Sequence, residues 1–297
     1  MKGLAIAALI LSGVCWGLGF PFGKIALSEM NAAHMVLLRF AVAAVAGLPF
    51  ALASREARAL FRSPPVLAAG VFYGVAFLLQ FEGLAHVSVT LAALLVGAMP
   101  ALIAVCARVL GEKVTRLSWS GVAAATLGAG LIAGHPEGAG SPLGIALSLI
   151  SLFVFLAWLV TLRRAPKVEV PLALPAVTVV VGSLTILPLA LLMHGPPPLD
   201  FSAAAWGAVI GQGLLSTLLA TAAWQYGAAR VGSATAGVFI NIEPLMGATL
   251  GVLAFGEPLT TGLKIGGALI LAGSFVVVLG ERDAPATDLA HTPVTPA

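Results

Sequence analysis

The side chains that could do chemistry in this sequence stand out because they interrupt long apolar runs. Arg39, Glu82 and Glu243 are the ionisable candidates, and Asn241 lies two positions before the last of them. A charged or amide side chain is costly to bury without a partner, so each is expected to face another polar group or an internal cavity. The question is which elements bring these groups together.

Arg39 lies near the start of the second apolar run, and two interpretations of it stay open. Its long stem can carry the charge to the nearer membrane surface, which is a structural role. Alternatively, the guanidinium pairs with Glu82 or with a carboxylate on a substrate, which makes both residues candidate binding residues.

Glu243 is the deepest carboxylate of the sequence and stands immediately before Pro244. Proline removes a backbone donor and disturbs the helix one turn back, so freed carbonyls and the Asn241 amide can face a cavity. Glu243 is therefore a candidate site for a coupling proton or for a substrate ammonium group. The alternative is that it pairs with a polar neighbour and joins two helices.

The eighth apolar run carries a polar stripe. Gln212 and Ser216 recur near four-residue spacing, and Thr217 and Thr221 continue the stripe less closely. A polar stripe in lipid has to face protein or water, so it predicts a cavity wall. Trp16 and Trp158 occupy similar places in the first and sixth runs and can stack on aromatic cargo or simply pack. The remaining candidate binding residues are Tyr73, Gln80, Trp224 and Gln225.

The elements that position these residues are membrane helices. The chain of 297 residues is 60% hydrophobic and 9% charged, whereas a soluble domain has about 25% charged residues. A helix crosses a bilayer with about 20 apolar residues. The sequence predicts ten such spans, at 3–23, 32–53, 66–84, 90–110, 118–134, 143–162, 171–193, 203–226, 233–255 and 262–280.

The distribution of positive charge predicts the orientation of these spans. With the N-terminus in the cytoplasm, twelve Lys and Arg residues fall on the cytoplasmic side. Only Lys24 and Lys264 fall on the other side, and Arg39 lies within a span. Cytoplasmic loops of membrane proteins carry this excess of positive charge, so we expect both termini in the cytoplasm and a location in the cell's inner (plasma) membrane.

An internal repeat relates the two halves of the chain. Residues 83–100 align without gaps on residues 227–244, 144 positions later, and the dipeptide Gly111-Glu112 then meets Gly256-Glu257. Because each half has five spans, the second half must be inserted upside down. The sequence thus predicts an all-α membrane protein of ten helices as two inverted five-helix repeats, 1–137 and 138–280, with a disordered cytoplasmic tail at 281–297.

Several motifs resemble those of EamA-type carriers in the drug/metabolite transporter superfamily. They are Cys15-Trp16-Gly17, Leu38-Arg39-Phe40, and the segment from Glu243-Pro244 to Gly256-Glu257 with the later Gly266 and Gly273. The resemblance covers the chain to about Gly280 and implies a ten-helix metabolite exporter, with aromatic or hydrophobic amino acids among its substrates. Unlike the nucleotide-sugar and triose-phosphate branches, this chain has almost no Lys or Arg at depth.

The sequence therefore favours a secondary carrier that works by alternating access, with Pro100 and Pro244 as hinges of equivalent helices. Neither a metalloprotease HExxH nor a phosphate-binding GxxxxGK[ST] motif occurs, which argues against an enzyme or a nucleotide-driven pump. We expect a small-molecule substrate, the lipid bilayer and a candidate coupling proton as partners, without a cofactor, nucleic acid or obligatory oligomer. A carrier or flippase for lipid-linked or other amphipathic metabolites is the alternative.

Overall fold

The computed structural model of the chain describes residues 2–111, 113–134, 140–166, 168, 170, 172–231 and 233–282, which form helices joined by short turns and contain no β-strand. The predicted all-α class is confirmed for these residues. Nine stretches among them are long and apolar enough to cross a membrane. The predicted repeat boundary at 137–138, Glu112 and nearly all of the predicted tail lie outside the described residues.

Fifteen α-helices occur in the described chain. They are α1 Lys2–Gly17, α2 Gly19–Leu27, α3 Ala32–Leu52, α4 Arg55–Ala59, α5 Pro64–Ala85, α6 Val89–Val96, α7 Met99–Val109, α8 Arg116–Gly134, α9 Pro142–Leu162, α10 Ala173–His194, α11 Ala203–Gly211, α12 Ala220–Val231, α13 Ser233–Ile240, α14 Ile242–Phe255 and α15 Thr261–Arg282. A π-helical segment, Gln212–Leu219, joins α11 to α12, and a short 3-10 turn, Leu60–Arg62, follows α4.

The helices begin where the sequence supplies caps. Asn31, Ser54, Ser88 and Ser141 each precede a helix and accept a hydrogen bond from the backbone N–H three residues later. Such a side chain satisfies one of the backbone donors that a helix start leaves free. At the other end of α14, Gly256 adopts a positive φ of 64°, a conformation that glycine adopts without strain and that stops the helix.

Several helix pairs pack closely and antiparallel. On α8 and α15, a Cβ placed on Gly121 would meet the carbonyl of Gly273, and one on Gly128 would meet the carbonyl of Gly266. The numbering rises along one helix as it falls along the other, so the two helices run in opposite directions. Small residues let helix backbones approach this closely in membranes.

Two further antiparallel pairs are α3 with α10 and α6 with α14. Between α6 and α14, a Cβ placed on Gly251 would meet the Thr90 hydroxyl, and one placed on Gly247 would meet the Cβ of Ala93, so the order is reversed. The remaining extensive contacts join α5 to α9 and to α10, α1 to α12, and α3 to the π-helical segment. This arrangement leaves a space between helices of the two halves.

Candidate functional site

A central cavity of about 130 Å³ lies among seven of the predicted spans. Spans one, three, four, six, eight and nine contribute to its lining, and α3 adds Arg39. No lining residue comes from α8 or α15. The lining residues are Trp16, Gly19, Phe20, Arg39, Tyr73, Phe77, Gln80, Phe81, Val96, Met99, Ile103, Leu152, Phe155, Trp158, Leu159, Ser216, Trp224, Ile240 and Glu243.

The helices around the cavity are broken beside it. The first span is interrupted at Leu18, between α1 and α2. The fourth is interrupted at Gly97 and Ala98, and the ninth at Asn241. These last two breaks come three residues before Pro100 and Pro244, because proline offers no N–H to the carbonyl one turn earlier. The π-helical segment of the eighth span also borders the cavity, and such bulges are frequent at functional sites.

Arg39 is held inside the protein, with only 1% of its surface exposed. Its Nε donates to the Thr217 hydroxyl at 2.7 Å, and its guanidinium carbon lies 4.0 Å from the centre of the Phe77 ring and 5.0 Å from that of Phe81. Its Nη1 is buried and has no hydrogen-bond partner among the described residues. The interpretation that Arg39 extends to the membrane surface is therefore wrong.

The predicted pairing of Arg39 with Glu82 is also wrong. Glu82 does not line the cavity, and its carboxylate lies 3.5 Å from His86 on the same helix, with 37% of its side chain exposed. Gln80, two residues earlier, does line the cavity. Two residues turn an α-helix by about 200°, so Gln80 and Glu82 point in nearly opposite directions.

Glu243 shares the cavity with Arg39. It lies in the first turn of α14, where the helix dipole favours a negative charge. Within the described part of the chain, no ion pair joins Glu243 to Arg39, although their charges are near enough to interact electrostatically. The cavity thus presents a guanidinium and a carboxyl group that are not in direct contact.

Eight aromatic rings contribute to the rest of the wall. Tyr73 and Trp158 have ring centroids 4.8 Å apart with planes inclined by 32°, and Trp16 lies 5.5 Å from Trp224. Phe155 contacts the Tyr73 and Trp158 rings from the side. The indole N–H of Trp158 is buried, and no described residue accepts a hydrogen bond from it. Such a wall accommodates an apolar or aromatic group, with one donor available to it.

Eight of the twelve predicted binding residues line this cavity, and Gln212 is among the four that do not. Gln212 is fully buried, and its amide nitrogen donates to the carbonyl of Gly19 at 2.6 Å. Ser216, which does line the cavity, donates to the carbonyl of Cys15 at 2.5 Å. The polar stripe of the eighth span therefore also supports the break between α1 and α2, because these carbonyls flank it.

Glu82, Gln225 and Asn241 are the other predicted residues outside the lining. Gln225 follows Trp224, and successive residues of a helix point about 100° apart. The Asn241 side chain is 8% exposed, and in the part of the chain that the structure describes neither its amide nitrogen nor its oxygen has a hydrogen-bond partner. Asn241 therefore belongs to the helix break rather than to the cavity wall.

Two aromatic residues of α5 and the partner of Arg39 were not predicted from the sequence. Phe77 and Phe81 follow Tyr73 at four-residue spacing, which was a usable signal for one helix face. Thr217 was recognised as part of a polar stripe, but its contact with Arg39 joins residues 178 positions apart. Only the tertiary fold brings those two together.

One end of the bundle is tied by charged side chains at the junction of α5 and α6. The Lys24 ammonium donates to the carbonyls of Leu84 and Val87, at 3.2 and 2.8 Å. The Glu257 carboxylate accepts the first two backbone N–H groups of α6, each at 2.7 Å. Both contacts join elements distant in sequence, so they fix the relative positions of the helices at this end.

A second carboxylate caps a helix at the same end. Glu29 accepts the hydroxyl of Ser202, and it accepts the backbone N–H of Ser202 at 2.8 Å, just before α11. These hydrogen bonds lower the pKa of the Glu29 carboxyl, the hydroxyl contributing most. The connection after α2 is thereby joined to the start of α11.

Comparison with known proteins gives this arrangement a family. The sequence pattern of the EamA-like transporter family matches residues 3–134 and again residues 142–279. The chain belongs to the EamA-like transporter family. This confirms the resemblance stated above, and with it the transporter character of the protein.

Several relatives have similar sequences over nearly the whole chain. A probable terminal-alkyne amino-acid exporter from Streptantibioticus cattleyicolor is 29% identical, over 94% of this chain and 95% of its own length. An uncharacterized transporter from Archaeoglobus fulgidus is 25% identical, over 91% and 97%. A solved protein structure with 19% identity has the same fold, with a TM-score of 0.66 over 95% of this chain and 99% of that one.

Proposed function

We propose that this EamA-like transporter is a secondary carrier that exports small metabolites, foremost amino acids with aromatic or other apolar side chains, by alternating access through the central cavity. One observation carries the proposal. The Arg39 guanidinium and the Glu243 carboxylate face the same aromatic-walled cavity without forming an ion pair. An amino acid has a carboxylate for the first and an ammonium group for the second.

The rest of the cavity supports a compact substrate with an apolar part. Its volume of about 130 Å³ is similar to that of an engineered protein cavity of about 150 Å³ that takes up benzene. The rings of Tyr73, Trp158 and Phe155 would contact the apolar part of the substrate. The relative named as an amino-acid exporter points to the same class.

Alternating access requires two halves that can exchange roles, and we propose the predicted ten-helix inverted repeat as their origin. The family pattern matches the chain twice. Spans two, four and five pack antiparallel against spans seven, nine and ten, as expected for equivalent helices inserted in opposite directions. The repeat pairs Gly121 with Gly266 and Gly128 with Gly273. The contact of Gly121 with Gly273 therefore corresponds to the contact of Gly266 with Gly128.

We further propose an inner-membrane location with both termini in the cytoplasm, because Lys and Arg concentrate on that side. In this orientation, the end tied by Lys24, Glu29 and Glu257 faces outward. Those contacts are then the ones that must part before cargo can leave. Glu243 is the candidate for coupling transport to protons.

The alternative cargo, lipid-linked or other amphipathic metabolites, draws on the largely apolar lining. A probable biotin transporter from Pseudomonas aeruginosa is 34% identical over 105 residues, covering 35% of this chain and 37% of that protein. The small cavity favours a free metabolite over a lipid-linked one. Free and lipid-linked metabolites are therefore both tested in the same transport assay.

The test is counterflow in proteoliposomes that contain the purified protein. Vesicles are loaded in turn with individual amino acids, biotin or a lipid-linked metabolite, with and without a pH gradient. We expect exchange of apolar amino acids and its loss in Glu243→Gln. The matched control is Glu82→Gln, the same chemical change outside the cavity, which should retain flux. Exchange of only the lipid-linked cargo, or full activity of Glu243→Gln, would contradict the proposal.

A further inference from the structure

Thr217 does not line the cavity, yet its hydroxyl takes part in two hydrogen bonds inside the protein. Its hydroxyl lies 2.9 Å from the carbonyl oxygen of Gln212, five residues earlier in the π-helical segment. A hydroxyl has one hydrogen, and this carbonyl can only accept it. The Thr217 oxygen must therefore act as the acceptor for Arg39 Nε, which lies 2.7 Å away.

The guanidinium of Arg39 is fixed from three sides. Thr217 holds its Nε edge, and the Phe77 and Phe81 rings lie 4.0 and 5.0 Å from its central carbon. The group is planar, so restraining one edge against a ring also sets the direction of the opposite edge. That edge carries Nη1, a buried donor without a partner, in a residue that lines the cavity.

We infer that Thr217 is a positioning residue that fixes Arg39 as a carboxylate site, so that an anionic oxygen on the substrate is required for tight binding. A carboxylate oxygen forms a charge-assisted hydrogen bond with a guanidinium, roughly twice as strong as a neutral one. A carboxamide offers only a neutral oxygen there. This inference deepens the proposed function, on whose cavity it rests, and assigns a specificity role to a residue outside the lining.

Binding of two matched probes tests the inference without transport. The probes are 3-phenylpropionate and its amide, 3-phenylpropanamide, which differ in the carboxylate alone. Binding to the full chain in detergent is followed by tryptophan fluorescence, since Trp16, Trp158 and Trp224 line the cavity. The wild-type protein should bind the acid on the order of tenfold more tightly than the amide.

Substitution at Thr217 should remove this preference selectively. Thr217→Val keeps the shape but deletes the acceptor, so the dissociation constant of the acid should rise about tenfold and that of the amide should stay within about twofold. Thr217→Ser retains the hydroxyl and should restore the preference. Thr178→Val is the matched control, because Thr178 is also buried but bonds only within its own helix, to Leu174.

Three outcomes would overturn the inference. They are equal binding of acid and amide by the wild-type protein, weakening of both probes to the same degree in Thr217→Val, or no recovery in Thr217→Ser. If the acid is preferred and the Thr217 series behaves as expected while no amino acid exchanges in proteoliposomes, the carboxylate site stands and amino-acid export fails. The two proposals can therefore be rejected separately.

Discussion

The fourth and ninth spans have the same backbone plan but different chemistry. Helices α6 and α13 are eight residues each and lie 144 positions apart, and each ends at a break followed by a proline. At the equivalent cavity positions, however, the fourth span has Met99 where the ninth has Glu243. The broken-helix geometry is thus repeated, whereas the charge that can contact a substrate is present once.

The two breaks also differ in how their polar groups are satisfied. At the first, the Ser274 hydroxyl on α15 donates to the carbonyl of Gly97. The repeat, whose offset here is the 145 positions that separate Gly111 from Gly256, pairs Ser274 with Ala129 on α8, which cannot donate. The second break carries Asn241 in place of Gly97, and its amide has no partner. One break is therefore satisfied and the other holds unused hydrogen-bonding capacity.

The largest effect is expected from a substitution that removes the chemical difference between the fourth and ninth spans. Glu243→Met gives the ninth span the residue of the fourth and deletes the anion of the cavity. Because hydrogen bonds to charged groups contribute about 1.5–3 kcal/mol, counterflow of an apolar amino acid should fall about ten- to hundredfold. Flux in proteoliposomes is the measurement, with protein yield as the check on folding.

Met99→Leu is the matched control for Glu243→Met, since it alters the equivalent position while conserving volume. It should retain most of the flux. Equal losses in the two variants would mean that both positions act by packing and that the contrast between the spans has no chemical meaning.

The sequence was sufficient for features that depend on local chemistry. Apolar length predicted the helices, and nine stretches in the described part of the chain are long and apolar enough to cross a membrane. The missing N–H of Pro244 predicted a disturbance one turn back, where the break of the ninth span lies, and an equivalent break precedes Pro100. It was insufficient wherever rotation about a helix axis decides a contact. Glu82 was assigned to the cavity by depth alone, yet the turn of α5 directs it to His86.

The sequence also failed to predict contacts between residues that lie far apart in the chain. A polar stripe on the eighth span predicted that its side chains face protein, and Gln212 does so, but toward Gly19 rather than a substrate. The choice between a wall of the cavity and a support for another helix depends on how the helices pack. No spacing within a single helix contains that information.

A smaller effect is expected at the satisfied break. Ser274→Ala leaves the buried carbonyl of Gly97 without its donor, which costs about 1–3 kcal/mol of folding free energy. The midpoint of thermal unfolding in detergent should fall. Ser120→Ala on α8 is the control, because Ser120 is exposed and bonds only to Leu117 in its own helix. An unchanged midpoint in Ser274→Ala would mean that water or a local partner satisfies Gly97.

The smallest change in the free energy of unfolding is expected at the break of the ninth span, where the Asn241 amide is unpaired. The informative result is whether this free energy rises or falls. Asn241→Ala removes two buried polar atoms that have no partner, so their desolvation no longer opposes folding. The gain offsets the lost packing, and we expect the unfolding free energy to stay constant or rise by less than about 1 kcal/mol. Flux should nevertheless fall severalfold. The unpaired Asn241 amide lies close to Glu243, where it is available to a substrate or to new contacts after α14 has moved.

Measuring stability and flux on the same Asn241→Ala preparation separates the two accounts of that side chain. Stable protein with reduced flux supports an amide that acts during transport, the opposite of Ser274, whose loss should reduce stability first. A drop in stability of more than about 1 kcal/mol would mean that Asn241 is bonded in the resting protein. The polar groups at both breaks would then have hydrogen-bond partners, and the breaks would differ only in which groups those partners are.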